Sequence, residues 1–129
     1  PMAHRSRLAG FIIDCQTDDL DTAATFWSQA LGLHVADPDS GGIGRYAEFG
    51  DAPGGLHVEV QKVEHPSRVH LDIEADDVNA EATRLEALGA KKIAFVRERW
   101  WVMEAPTGQR FCVVPMREDS RREPPNDWP

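Results

Sequence analysis

A chain of 129 residues, 41% of them hydrophobic and 28% charged, has the size and balance of one globular domain or of two half-size modules that share a core. A formal net charge of −8 argues against a nucleic-acid partner, because phosphate binding needs a basic face. No apolar run approaches the roughly 18–20 residues that span a bilayer, and no signal-peptide pattern opens the sequence. Two cysteines do not make a disulfide framework, so the expectation is a cytoplasmic protein with free thiols at Cys15 and Cys112.

Residues 1–8 are polar and basic and read as a flexible N-terminus. Residues 9–16 then alternate as a strand, with Phe11, Ile13 and Cys15 on one face and Ile12, Asp14 and Gln16 on the other. Asp18 and Asp19 mark a helix start, where a carboxylate can accept hydrogen bonds from free backbone N–H groups. Leu20, Ala23, Ala24, Trp27, Ala30 and Leu31 form its apolar stripe, and Gly32 ends it. Residues 33–36 predict a short strand, 37–44 (DPDSGGIG) a loop, 45–49 a second strand and 51–55 (DAPGG) a turn. In the strand at 56–63, Leu56, Val58 and Val60 face one way and His57, Glu59 and Gln61 the other.

The order β-α-β-β-β then repeats. Laid with Arg68 over Gly10, the segment RVHLDIEADDVNAEATRLEALGA (68–90) matches Asp72 to Asp14, Asp76 and Asp77 to Asp18 and Asp19, and Ala82 to Ala24. A strand, an Asp pair, a helix and a Leu-Gly ending at half the chain length indicate a duplicated module. His70 stands where the first copy has Ile12. In the strand at 68–74, Val69, Leu71 and Ile73 are expected under the helix, with His70, Asp72 and Glu74 opposite. Strands at 91–96, 99–103 and 110–114 follow, and Trp100 and Trp101 point to opposite faces of the middle one. The tail at 117–129 is charged and proline-rich, with Trp128 as its expected anchor.

Three segments carry a family resemblance: DLDTAATFWSQALGL (19–33), similar to a D-L-x-x-A-x-x-F-Y/W-x-x-x-L-G helix; RVHLDIEADDVNAEATRLEALGA; and EAPTGQRFCVV (104–114), similar to a closing D-P-x-G hairpin. The chain thereby resembles the vicinal oxygen chelate superfamily, which includes glyoxalase I, bleomycin-resistance proteins and extradiol dioxygenases, and within it a glyoxalase-like subgroup of unassigned function. The resemblance implies an α+β fold of tandem βαβββ modules forming a curled mixed sheet around a cleft, with helices on the outer face. The glyoxalase-like domain is expected at 9–116, its modules at 9–63 and 68–116. It also implies a homodimer.

Metal-using members place ligands on the first and last strands of each module. Seven residues before Asp19 and Asp77 stand Ile12 and His70, and four residues after Gly55 and Gly108 stand Glu59 and Cys112. Ile12 has no donor atom, so no functional glyoxalase-type metal site is expected. If a metal is bound, its ligands would be Glu59, His70 and Cys112, a donor set that suits zinc better than iron or manganese. The favoured reading is a small-molecule-binding protein whose cleft is lined by Glu59, His70, Cys112, His57, Gln61, Asp72 and Trp101 and whose ligand is a small organic compound, cationic or aromatic. The alternative is a metal-dependent lyase, isomerase or dioxygenase that uses a divalent ion at Glu59 and His70.

Overall fold

The computed structural model describes residues 3–117 and 124–129. Its class is α+β, and the β-α-β-β-β order occurs twice: β1 (His4–Gln16), α1 (Leu20–Leu31), β2 (Val35–Ser40), β3 (Tyr46–Phe49) and β4 (His57–Val63), then β5 (Arg68–Ala75), α2 (Val78–Ala87), β6 (Lys91–Val96), β7 (Trp100–Glu104) and β8 (Arg110–Pro115), with a short β9 (Asn126–Trp128) after them. Both helices start as the repeat predicts. The Asp19 carboxylate accepts from the Thr22 N–H at 3.1 Å and from its hydroxyl at 2.7 Å, and these bonds lower its pKa. Asp77 accepts from the Ala80 N–H at 3.0 Å. Gly32 ends α1 in the left-handed region at φ 68, where a side chain would strain the backbone. No helix among the described residues is long and apolar enough to cross a membrane.

The chain divides into two compact units, Gly10–Val69 and Pro1–Ala9 with His70–Pro129. In the first unit the strand order is β2-β3-β4-β1, antiparallel except for the parallel β4–β1 pair. Helix α1 lies over β2, β3 and β4. Beneath it Ile13, Leu20, Ala24, Phe49, Val58 and Val60 form the core, with Trp27 packed against them as expected. Gly10 is required by the closeness of β1 to β4: a Cβ there would lie 1.8 Å from the His57 carbonyl oxygen. Strand β2 runs to Ser40, four residues into the expected loop, with its pairing shifted around Asp37.

In the second unit the order is β5-β8-β7-β6, again with one parallel pair, β5–β8. Helix α2 lies over β6, β7 and β8. Ala75, Ala82, Leu85, Met103 and Val113 form the core, with Ile73, Trp101 and Phe111 against it. Two expectations fail here for one reason. Val69 and Leu71 are 58% and 53% exposed rather than buried under the helix, because α2 lies over the other three strands and only the end of β5 enters the core. Leu88, at 65% exposed, lies beyond the last turn of α2 and also falls outside the core.

The N-terminus corrects the reading of residues 1–8 as flexible from His4 on, while residues 1–2 lie outside the described residues. Strand β1 begins at His4, and His4 and Ser6 are buried. The polar side chains that made this segment look loose are partners of a buried carboxylate, Glu81 of α2. His4 Nε2 lies 2.7 Å from Glu81 Oε1, the Ser6 hydroxyl donates to Oε2 at 2.8 Å, and Arg84 forks onto both oxygens at 2.8 Å. Burial works to raise the Glu81 pKa, but the bonds from Arg84, His4 and Ser6 outweigh it and the net shift is downward. Within the expected polar tail, residues 118–123 lie outside the described residues, while β9 pairs antiparallel with the start of β1. Trp128 does serve as an anchor: its indole N–H donates to Ser6 Oγ at 2.8 Å, and the Arg84 guanidinium stacks 3.8 Å from its ring centre.

Candidate functional site

In the unit of residues 10–69, the polar side chains of β4 meet those of β3. The antiparallel register sets Glu48 opposite Glu59 and Tyr46 opposite Gln61. Two carboxylates directly across a strand pair repel one another, and His57 stands between them. Its Nδ1 is 3.4 Å from Glu48 Oε1 and its Nε2 is 3.3 Å from Glu59 Oε1, with all three side chains largely buried. The group therefore sets two carboxylates against one imidazole. Gln61 Nε2 donates to the Tyr46 hydroxyl at 3.2 Å.

His57, Glu59 and Gln61 thus share one polar face, as the alternation of β4 predicts. Glu48 and Tyr46 were missed. The signal for them was the alternation of Arg45-Tyr46-Ala47-Glu48-Phe49, whose apolar members Ala47 and Phe49 are in the core. The same unit holds an open cavity of about 850 Å³, lined by Gln16, Arg45, Gln61, Lys62, Glu64 and His65 among others. Gln61 borders it, whereas His57 and Glu59 do not.

In the other unit, His70 and Asp72 lie two apart on β5 and so share a face. Cys112 of β8 is the ladder partner of Asp72. One donor atom from each of His70, Asp72 and Cys112 falls within 4.8 Å of the other two. His70 Nε2 is 3.5 Å from Asp72 Oδ1, and that oxygen is buried without a hydrogen bond. Trp101 does not join this group. It faces α2, where its indole N–H donates to Asn79 Oδ1 at 2.9 Å, its ring stacks on Phe95 and Lys92 lies over it. Of the adjacent tryptophans, the one assigned to the cleft is on the helix side of β7, because residues 101 and 103 share a face and Met103 is core.

Of the residues in the implied ligand set, Glu59 clusters with Glu48 and His57, and His70 and Cys112 cluster with Asp72. The ladders also correct the count from the turn glycines. Asp14 pairs with Gln61 as its repeat counterpart Asp72 pairs with Cys112, so Cys112 takes the place of Gln61 rather than that of Glu59. Ile12, the partner of Glu59 in the ladder, is buried and apolar. One of the four implied ligand positions therefore carries no donor atom. The second thiol is not a ready donor either, since burial first and then the Asp14 charge push the Cys15 pKa up.

Comparison with known proteins decides the family, for residues 10–114 match the glyoxalase-like domain. The chain belongs to the glyoxalase-like domain family. Its place in the vicinal oxygen chelate superfamily follows, and solved structures bear out the fold of this glyoxalase-like protein. A hypothetical protein from Bacillus halodurans shares 13% identity at a TM-score of 0.64, over 88% of this chain and 96% of its own. Methylmalonyl-CoA epimerase from Mycobacterium tuberculosis shares 17% at 0.63, over 86% and 89%. A Mn(II)-bound glyoxalase from Novosphingobium aromaticivorans shares 18% at 0.58, over 88% of this chain and 40% of that one. No curated protein matches the sequence.

Proposed function

We propose that this glyoxalase-like protein binds a small organic molecule with a cationic or aromatic group, and does so without a glyoxalase-type four-ligand metal site. The observation that carries the reading is His57 held between Glu48 and Glu59, a largely buried group with two carboxylates to one imidazole, bordered by the Tyr46–Gln61 pair. A cationic ligand beside this group is attracted because its two carboxylates outnumber its one imidazole, and partial burial strengthens the effect relative to water. Buried Ile12 supports the second half of the proposal.

Calorimetric titration of the reduced, chelator-treated protein with a panel of aromatic ammonium and guanidinium compounds tests it. The expected outcome is saturable binding of at least one member at micromolar concentration, weakened by Glu48→Gln and Glu59→Gln. Absence of saturable heat with every member would overturn the reading, as would binding that both substitutions leave unchanged.

A further inference from the structure

The group on the β5–β8 pair is open to a different ligand. We infer that His70, Asp72 and Cys112 form a binding site for a soft divalent cation, Zn²⁺ in the first place, built within one module. Three observations carry this. First, the donor set is one nitrogen, one oxygen and one sulfur, the types that zinc takes and that hard cations such as Mg²⁺ and Ca²⁺ do not combine. Second, the donors all lie within 4.8 Å of one another. Zinc bonds of roughly 2.0–2.3 Å place tetrahedral donors roughly 3.3–3.8 Å apart, so side-chain shifts of about 1 Å close the set on an ion.

The third observation is independent of the clustering. The Asp72 side chain is 11% exposed, and its Oδ1 is buried with no hydrogen-bond partner. Leaving a carboxylate oxygen dry and unbonded is costly unless a cation comes to it. The His70 ring reaches it only to 3.5 Å, at the limit of hydrogen-bond length. An ion seated among the three would take that oxygen, the imidazole nitrogen and the sulfur together. His70 and Cys112 are only part-buried, which leaves a fourth position for water. Binding requires Cys112 as thiolate, so each Zn²⁺ bound releases the thiol proton to solvent, and affinity rises with pH.

This site does not depend on the organic-ligand reading, whose residues lie on β3 and β4. It differs from the Glu59, His70 and Cys112 set in its use of Asp72, and the test separates the two. Chelator-treated, reduced protein is titrated with Zn²⁺ by calorimetry and with Co²⁺ by absorption spectroscopy. Stoichiometric Zn²⁺ uptake is expected, with a thiolate-to-cobalt charge-transfer band in the near ultraviolet. Cys112→Ser should abolish the band, and Asp72→Asn should weaken Zn²⁺ by more than the roughly 10–100-fold typical of losing an outer-shell partner. Cys15→Ser and Glu59→Gln should change neither.

A second measurement needs no variant. Zn²⁺ should slow alkylation of Cys112 in the unmodified chain, mapped by mass spectrometry, and leave Cys15 unaffected. Absence of stoichiometric uptake, a cobalt band that follows Cys15, or alkylation of Cys112 at the same rate with and without Zn²⁺ would each overturn the site. Loss of Zn²⁺ in Glu59→Gln but not in Asp72→Asn would replace it with the Glu59 set.

Discussion

The two modules share a plan and differ in what they place on it. Each starts its helix on an aspartate and pairs its first and last strands in parallel. The first copy has Ile12 where the second has His70, Ala23 where the second has Glu81, and Gly10 where the second has Arg68. Two of these differences have visible consequences. Gly10 lets β1 approach β4 closely, and Glu81 gives α2 a buried charge that gathers the start of β1 and the end of the chain. The duplication therefore holds backbone pairing and helix starts nearly fixed while individual side chains acquire separate roles. Whether a polar residue is structural or available to a ligand has to be judged copy by copy.

The largest contrast is expected at Glu81. Replacing it with Ala leaves His4, Ser6 and Arg84 around an empty buried position, and removal of one partner from a buried ionic network costs roughly 3–5 kcal/mol. Denaturant unfolding should show that loss. Its pH dependence has a definite sign. The folded pKa lies below the ordinary value of 4.5, so the carboxylate contributes stability above that pH and the contribution is lost as pH falls through the lowered folded value. The stability difference between the unmodified chain and Glu81→Gln should therefore shrink on acidification below 4.5. A constant difference would mean that Glu81 acts through its shape alone.

Next comes the close approach in the first module. The obstacle to a Cβ at Gly10 is a backbone carbonyl, which cannot swing away as a flexible side chain can. Gly10→Ala should fall at the upper end of the roughly 1–3 kcal/mol that overpacking costs, measured by denaturant unfolding. A loss near zero would break the contrast between the two copies.

The smallest effect tests what the copies share. Asp77→Ala removes an N-cap and should destabilise by about 1 kcal/mol. Asp19→Ala should act in the same direction, with helix content by circular dichroism reporting both. An effect in one module only would show that the matching aspartates do not have matching roles.

Much of this was legible in the sequence. The Asp starts, the 3.6-residue stripes, the alternation of β4 and β5 and the repeat itself are local patterns fixed by backbone geometry, and they led to the α+β class, the βαβββ order and the shared faces of His57 with Glu59 and of His70 with Asp72. Tertiary structure decided the rest, because it depends on which strand lies beside which and on what covers them. Ladder register, not distance from a turn glycine, made Cys112 the neighbour of Asp72 and Glu48 the neighbour of Glu59. The position of α2 left Val69 and Leu71 exposed and turned Trp101 toward the helix. A buried carboxylate on a distant helix converted a polar N-terminus into an ordered strand, since the hydrogen bonds that a lone segment would give to water find their partners at Glu81.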